Sequence, residues 1–203
     1  MAFAVYVTLW VGIVADWAWL AAVDDGSLQR FYDYGVNRPG WISFWVAVSN
    51  LFSPTTMRIL ALAGIVVALG RRKMRTAVFL TITVMLMGLL TVAAKGLSGR
   101  PRPGTALISE TSTSFPSGHA LGIMVGVLAL LTVLWPTLPP GMRFPAAILG
   151  AVIVFMVGLS RVVLNVHHTT DVVAGWTLGL LYYLLCVMVF PPRPGLNEDL
   201  DRT

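Results

Sequence analysis

The sequence predicts an all-α integral membrane protein: a bundle of six transmembrane helices with a short interfacial helix between the first and second spans. Of its 203 residues, 57% are hydrophobic and only 11% are charged, and the mean hydropathy is +0.80. The surface of a soluble domain needs far more polar side chains than this composition supplies. We therefore expect lipid to surround most of the chain.

Six apolar stretches approach the length of about 20 residues that a helix needs to cross the hydrocarbon core. They comprise residues 2–23, 54–70, 76–94, 119–135, 144–159 and 172–190. The apolar, aromatic stretch 41–52 is too short to cross and is typical of a helix in the membrane interface. Residues 136–143 (PTLPPGMR) predict a tight turn, because adjacent prolines and a glycine stop a helix.

The first stretch is predicted to be a retained span and not a signal peptide. It lacks a basic leading segment and a small-residue cleavage site. Asp16 lies within it, where an unpaired acid is costly. Either a cation of another helix pairs with Asp16, or the span is shorter than residues 2–23.

Basic residues in short loops set the expected orientation. The segment 71–75 (RRKMR) holds four cations in five positions and is predicted to be cytoplasmic. If the cations of the polar clusters described below serve function and not topology, both termini are cytoplasmic. The loops 95–117 and 162–170 then face outward together, which predicts a multi-pass protein of the plasma membrane with an extracytoplasmic site.

A single domain is predicted over residues 1–203, with its chemistry at residues 95–171. The tail from about 191 to 203 is proline-rich and then acidic, which is typical of disorder. The net charge of +5 does not indicate nucleic-acid binding, since the basic residues form no contiguous stripe. The single cysteine, Cys186, excludes an intrachain disulfide and a multi-cysteine metal site.

Three polar clusters interrupt the apolar chain, and the predicted topology puts all three at the outer face. They are KGLSGRPRP with Lys95 and Arg102, FPSGHA with Ser117, Gly118 and His119, and SRVVLNVHHTTD with Arg161, His167 and Asp171. A cation kept at a membrane boundary indicates function. One lysine and two arginines together can clamp an anion, and the planar guanidinium fork matches phosphate oxygens.

The remaining polar groups indicate phosphate chemistry. Ser117 and Gly118 precede a predicted helix whose free N–H groups can bind phosphate, and glycine allows close approach. His167 and Asp171 are four residues apart, so on one helical face the carboxylate could hold one imidazole nitrogen and make the other a nucleophile or base. His119 could act as general acid, a role worth about 10² to 10⁴ in rate. A metal is not expected, because the cations would repel it.

These motifs resemble the type 2 phosphatidic acid phosphatase (PAP2) superfamily of lipid phosphatases. The family pattern is Lys, six residues, Arg-Pro; then Pro-Ser-Gly-His; then Ser-Arg, five residues, His, three residues, Asp. The matching positions are Lys95, Arg102 and Pro103, then residues 116–119, then Ser160, Arg161, His167 and Asp171. The six-helix layout is also similar to the membrane branch of the family.

The resemblance implies a phosphatase that needs no metal and no cofactor. His167 would form a phosphohistidine, Asp171 would orient it, and His119 would protonate the departing group and later activate water. The residues that would hold the phosphate are Lys95, Arg102, Ser117, Gly118 and Arg161.

For an outward-facing site we expect a polyprenyl diphosphate of the undecaprenyl or decaprenyl type, hydrolysed to the monophosphate during cell envelope assembly. Phosphatidylglycerophosphate and phosphatidic acid are alternatives within this class. A lipid phosphotransferase or a non-catalytic lipid-phosphate transporter is an alternative of another class. The two histidines and Asp171 argue against the transporter, since binding alone needs only the cations. The expected partners are the lipid substrate and the surrounding membrane lipids.

Several residues outside the motifs carry further expectations. Arg100 is either a membrane anchor or a headgroup contact, and His168 is solvated or structural because it misses the family spacing. Glycines repeat every four residues in the fourth and sixth spans, which indicates close helix packing within the monomer, with a homodimer as the alternative. These glycines are Gly118, Gly122, Gly126, Gly175 and Gly179.

Overall fold

The computed structural model describes residues 1–192, which form helices and connecting loops without a strand in that part of the chain. The predicted disordered tail lies outside the described residues apart from its first two positions. The helices are α1 (Ala2–Val14), α2 (Ala18–Gly35), α3 (Pro39–Leu51), α4 (Pro54–Gly70), α5 (Met74–Leu80), α6 (Met87–Ser98), α7 (Gly118–Leu134), α8 (Pro140–Val163) and α9 (Thr169–Val189), with a π-helical turn, Thr81–Met85, joining α5 to α6.

Within residues 1–192, four helical stretches are long and apolar enough to cross a membrane. They are Pro39–Gly70, Met74–Ser98, Pro140–Val163 and Thr169–Val189. The bent pair α1 and α2 would make a fifth, and α7 is a shorter apolar helix. The all-helical membrane class is confirmed with four to five candidate spans, whereas the count of six stays a prediction.

The start of the chain differs from the predicted first span. α1 ends at Val14, and α2 begins at Ala18 after a bend of 92°. Asp16 lies in the break with φ of 50°, a left-handed conformation that cannot continue a right-handed helix. A continuous span over residues 2–23 is therefore wrong, and the costly acid lies at the bend and not inside a helix.

The predicted interfacial helix is not separate from the second span. α3 and α4 run on as one apolar stretch of 32 residues, Pro39–Gly70. Pro54 interrupts it little, because the first position of a helix needs no N–H donor. The Ser53 hydroxyl caps α4 by accepting a hydrogen bond from the Thr56 N–H at 3.2 Å.

The other helices are longer than predicted at the ends that matter for chemistry. α8 begins at Pro140, inside the predicted turn, because proline is tolerated in a first helical turn. It then continues to Val163, so Arg161 lies on its last turn. α9 begins at Thr169, three residues before the predicted start.

The regularly spaced glycines lie where helices touch. A Cβ at Gly175 would be 2.6 Å from the Ser117 carbonyl oxygen of α7's N-cap, and a Cβ at Gly126 would be 2.5 Å from the Met57 Cγ of α4. A Cβ at Gly179 would likewise be 2.9 Å from the Leu121 carbonyl oxygen. The predicted packing within the monomer is therefore confirmed, and it holds α9 directly against the start of α7.

Candidate active site

A cavity of about 370 Å³ lies between α4, α6, the start of α7 and the loops beyond them. Five of the eight predicted site residues line it: Lys95, Arg102, Gly118, His119 and His167. The other three, Ser117, Arg161 and Asp171, are buried just behind its wall. The structure therefore brings the three sequence clusters together.

Local backbone features position the first two clusters. Lys95 lies on the last turn of α6, and the C-cap of that helix, Gly99, has a left-handed φ of 59°. Ser117 is the N-cap of α7, and its hydroxyl accepts a hydrogen bond from the Ala120 N–H at 3.4 Å. The Ser117 N–H donates to the Asp171 carbonyl at 2.9 Å, so the start of α7 is tied to α9.

His167 lies in the turn between α8 and α9, not on the helix itself. The expectation of one shared helical face with Asp171 is thus wrong, because Asn165 adopts a φ of 54° and α9 starts only at Thr169. The Nδ1 atom of His167 still lies 3.6 Å from Asp171 Oδ2, while its Nε2 lies 3.3 Å from Arg102 Nη1. The turn therefore places the Asp171 carboxylate beside Nδ1 of His167, as a shared helical face was expected to do.

Burial controls the protonation of His167. The side chain is 1% exposed, and burial lowers its pKa to about 4, although the Asp171 carboxylate opposes the shift. The imidazole is thus neutral at neutral pH and keeps a lone pair. With Nδ1 directed to Asp171, that lone pair lies on Nε2, beside the Arg102 guanidinium.

Both oxygens of Asp171 are occupied. Oδ1 accepts a hydrogen bond from Arg100 Nη1 at 2.6 Å. Oδ2 accepts from the Ser114 hydroxyl and, at 2.8 Å, from the His168 N–H, and it lies 3.0 Å from His168 Nδ1. His168 is the N-cap of α9, so of its two expected roles, solvated or structural, it has the structural one.

Arg100 and Asp24 are functional candidates that sequence reasoning missed. The Arg100 guanidinium pairs within the protein, since its Nη2 lies 2.8 Å from Asp24 Oδ2 while Nη1 binds Asp171, and neither of its two expected roles predicted these partners. Asp24, on α2 and 1% exposed, also accepts hydrogen bonds from Thr170 N–H at 2.9 Å and from the Thr170 hydroxyl at 2.6 Å. An acid in a weakly apolar helix was the only sequence signal.

Asp24→Asn should lower kcat by about 10- to 100-fold with little change in KM, a loss typical of groups that orient a functional side chain. The amide would remove one of the two carboxylates that pair with Arg100 and would turn an NH2 group toward donors. Steady-state kinetics measure the effect, and Asp25→Asn, at the exposed neighbouring acid, is the control. Equal kcat in both variants would remove Asp24 from any positioning role.

A carboxylate occupies the predicted cation clamp. Arg161 donates to the Ser49 hydroxyl at 2.8 Å and pairs with Glu110, whose other oxygen lies 3.8 Å from Arg102 Nη2. Partial burial would raise the pKa of Glu110, but Arg161 and Arg102 lower it on balance, so the carboxylate is ionised. Lys95 donates to the Thr113 carbonyl. Nothing in the sequence pattern indicated Glu110.

Within residues 1–192, no group of three or more His, Cys, Asp or Glu side chains is arranged to hold a metal ion. The titratable side chains that line the cavity are cations, imidazoles and one carboxylate. Such a set can bind an anion and can transfer protons and a phosphoryl group.

Comparisons with known proteins agree with this chemistry. The chain is 39% identical to phosphatidylglycerophosphatase B of Bacillus subtilis over 117 residues, 56% of the chain and 54% of that protein. It is 32% identical to undecaprenyl-diphosphatase of Sulfolobus acidocaldarius over 131 residues, 61% of the chain and 60% of the relative. It is 33% identical to lipid A 1-phosphatase of Rhizobium johnstonii over 125 residues, 55% of the chain and 47% of the relative. The matched regions thus span about half the length of these relatives.

A solved structure and a family profile extend the agreement. The crystal structure of a transmembrane PAP2-type phosphatidylglycerolphosphate phosphatase from Bacillus subtilis superposes with a TM-score of 0.75 and 26% identity, covering 93% of both chains. The profile of the PAP2 superfamily matches residues 75–194, more than half of the chain, and includes all three motif clusters. The chain therefore belongs to the PAP2 superfamily.

Proposed function

We propose that this protein hydrolyses the terminal phosphate of a membrane lipid, with His167 as nucleophile. The observation that carries the proposal is the position of His167. Its buried, neutral imidazole lies between the Asp171 carboxylate and the Arg102 guanidinium. It lines a cavity that His119 and Lys95 also line. A nucleophile, an orienting carboxylate and an anion clamp are the parts that phosphoryl transfer needs.

In the first step, Nε2 of His167 attacks phosphorus, and the bond from phosphorus to the leaving oxygen breaks. His119 donates a proton to that oxygen, while Asp171 stabilises the charge on the His167 ring. In the second step, water attacks the phosphorus of the phosphohistidine, the bond from phosphorus to His167 Nε2 breaks, His119 takes the water's proton, and inorganic phosphate leaves. The side chains alone carry both steps, so we propose a metal-independent reaction.

The phosphate would replace Glu110 in the clamp. Glu110 lies between Arg161 and Arg102, which are the groups expected to hold the phosphate oxygens. A phosphate offers oxygens of the same charge in the same place, so the loop that carries Glu110 must move aside when substrate binds. Arg161, which lies behind the wall, would then reach the substrate directly.

The proposed substrate is a polyprenyl diphosphate, hydrolysed to the monophosphate. The relative named undecaprenyl-diphosphatase supports it. Phosphatidylglycerophosphate is the second candidate, because one relative and the superposed crystal structure both bear that name. Phosphatidic acid would fit the same clamp.

We propose six spans, with both termini cytoplasmic and the site extracytoplasmic in the plasma membrane. The basic segment 71–75 and Lys95 lie at opposite ends of the stretch Met74–Ser98, so a cytoplasmic segment 71–75 puts the cavity outside. The bent pair α1 and α2 would supply one of the two spans beyond the four long stretches, and α7 the other. Reaction of an engineered cysteine at exposed Ser109 with a membrane-impermeant thiol reagent in intact cells tests the orientation; protection there would overturn it.

Phosphate release by the detergent-purified protein tests the function. The panel contains polyprenyl diphosphate, phosphatidylglycerophosphate and phosphatidic acid in excess chelator, with and without a lipid alcohol as acceptor. We expect chelator-resistant release and fastest turnover with the diphosphate. A phosphorylated acceptor in place of free phosphate would identify a phosphotransferase, and release from none of the lipids would contradict both enzyme assignments.

A further inference from the structure

A fourth cation, Arg58, lines the same cavity as Lys95 and Arg102 and has no role in the chemistry described so far. It lies on the second turn of α4, inside the membrane-spanning stretch Pro39–Gly70. A charge within a span is costly and marks a functional site by default. The three motif cations do not explain why this one is present.

The space for Arg58 is made by a missing side chain on α6. A Cβ at Gly88 would be 2.8 Å from Arg58 Nη2, so the guanidinium lies against the bare backbone of that helix. Lys95, Arg102 and Arg161 each have protein partners. Within residues 1–192, no hydrogen bond or ion pair engages the Arg58 guanidinium. A cation directed at a cavity without a counter-ion suits an anionic ligand.

Arg58 lies deeper than the clamp. Gly88 precedes Lys95 by seven residues, which is about 10 Å along α6. A Cβ at Gly118 would be 3.2 Å from Thr91 of α6, so the start of α7 is level with Thr91, about 5 Å beyond Gly88. The guanidinium therefore lies closer to the centre of the membrane than the residues that are proposed to hold the reacting phosphate.

The cavity opens toward lipid at this level. Thr55 and Val92, which flank Arg58 on α4 and α6, line the cavity and are exposed, Val92 to 72%. The tail of a lipid whose terminal phosphate lies in the clamp would extend out of the cavity on this side. The group next to its terminal phosphate would then pass Arg58.

We propose that Arg58 binds a second phosphate, the one that remains with the lipid product, and so selects lipids with two phosphates over lipids with one. This inference rests on the proposed function. Its chemistry is shared by a polyprenyl diphosphate, in which one oxygen joins the phosphates, and by phosphatidylglycerophosphate, in which a glycerol joins them. Phosphatidic acid has no such second group.

The competing interpretation is a snorkelling anchor, in which the Arg58 charge reaches the headgroup region of the surrounding bilayer. An anchor would affect folding and every substrate alike. A ligand for the second phosphate acts only on substrates that have one. The comparison of matched lipids separates the two.

Binding to His167→Ala protein gives a test without turnover. Farnesyl monophosphate and farnesyl diphosphate have the same tail and differ by one phosphate, so the ratio of their Kd values, measured calorimetrically in detergent, reports the second phosphate alone. The further change Arg58→Gln should weaken diphosphate binding by about 10- to 100-fold, the range for a charged hydrogen bond, and monophosphate binding far less. Arg58→Lys should restore part of the difference.

Two further variants complete the binding test. Gly88→Ala keeps the Arg58 charge but pushes the guanidinium aside, so it should also reduce the preference for farnesyl diphosphate over farnesyl monophosphate. Arg30→Gln, at an exposed arginine of α2 away from the cavity, is the control. An unchanged ratio in Arg58→Gln, or an equal loss for both probes, would overturn the second-phosphate site.

Turnover by otherwise unaltered protein distinguishes the two sources of the second phosphate. Arg58→Gln should raise KM for the preferred two-phosphate lipid. Phosphatidic acid should therefore become a better substrate relative to that lipid. A larger effect on polyprenyl diphosphate would identify the diphosphate as the ligand; a larger effect on phosphatidylglycerophosphate would identify the glycerol-linked pair. Failure to hydrolyse any lipid, with the Arg58-dependent Kd ratio intact, would contradict the proposed function but not this site.

Discussion

His167→Ala protein should fold, bind lipid phosphate and release almost none of it, with kcat reduced by about 10⁴-fold or more. In the proposed mechanism the neutral imidazole of His167 is the nucleophile, and neighbouring cations cannot replace its lone pair. Phosphate release from the preferred lipid measures the loss, and acid-labile labelling of the trapped wild-type enzyme measures the phosphohistidine. Neither label nor release should appear in the variant.

The neighbouring histidine provides the control. His168→Asn keeps an N-cap for α9, because asparagine caps helices well, and should retain turnover within about tenfold. The pH profile gives a second readout. Because burial lowers the pKa of His167 to about 4, the proposed nucleophile is neutral above that value, and the acidic fall of kcat/KM should come as pH drops through about 4. Equal losses in the His167 and His168 variants would contradict the assignment of the nucleophile.

The grouping of the candidate catalytic residues could be predicted from sequence because these residues lie in short motifs. Lys95 and Arg102 are seven positions apart, where a helix end and a loop bring both to one cavity. His167 and Asp171 are close in sequence, so they meet whether the chain between them is a helix or a turn. The helical interpretation failed, yet the contact it predicted exists at 3.6 Å.

The partners that tune this set could not be predicted, because each comes from a distant part of the chain. Asp24 meets Arg100 only because the chain bends by 92° near Asp16, and that bend depends on the backbone conformation of a few residues. Arg58 reaches the cavity only because Gly88 leaves room on another helix. No local sequence pattern predicts such contacts, since they depend on how the helices pack.

Helix packing also limits what the site tolerates, and Gly175→Ala should show it. The new Cβ would be 2.6 Å from the Ser117 carbonyl oxygen and 2.9 Å from the Ala120 Cβ, and a backbone atom cannot move aside as a flexible side chain can. Overpacking of this kind typically costs about 1 to 3 kcal/mol, more than the gain of about 1 kcal/mol from replacing glycine by alanine in a helix.

The same change should also lower activity, because Ser117 is the N-cap of α7 and its N–H binds the Asp171 carbonyl at 2.9 Å. Pushing α9 from α7 therefore separates His119 from the His167 and Asp171 pair. Thermal unfolding in detergent and phosphate release measure the two effects, with Gly40→Ala as control, since a Cβ there meets nothing within 4 Å. If Gly175→Ala unfolds and reacts like Gly40→Ala, the contact between α7 and α9 does not set the geometry of the site.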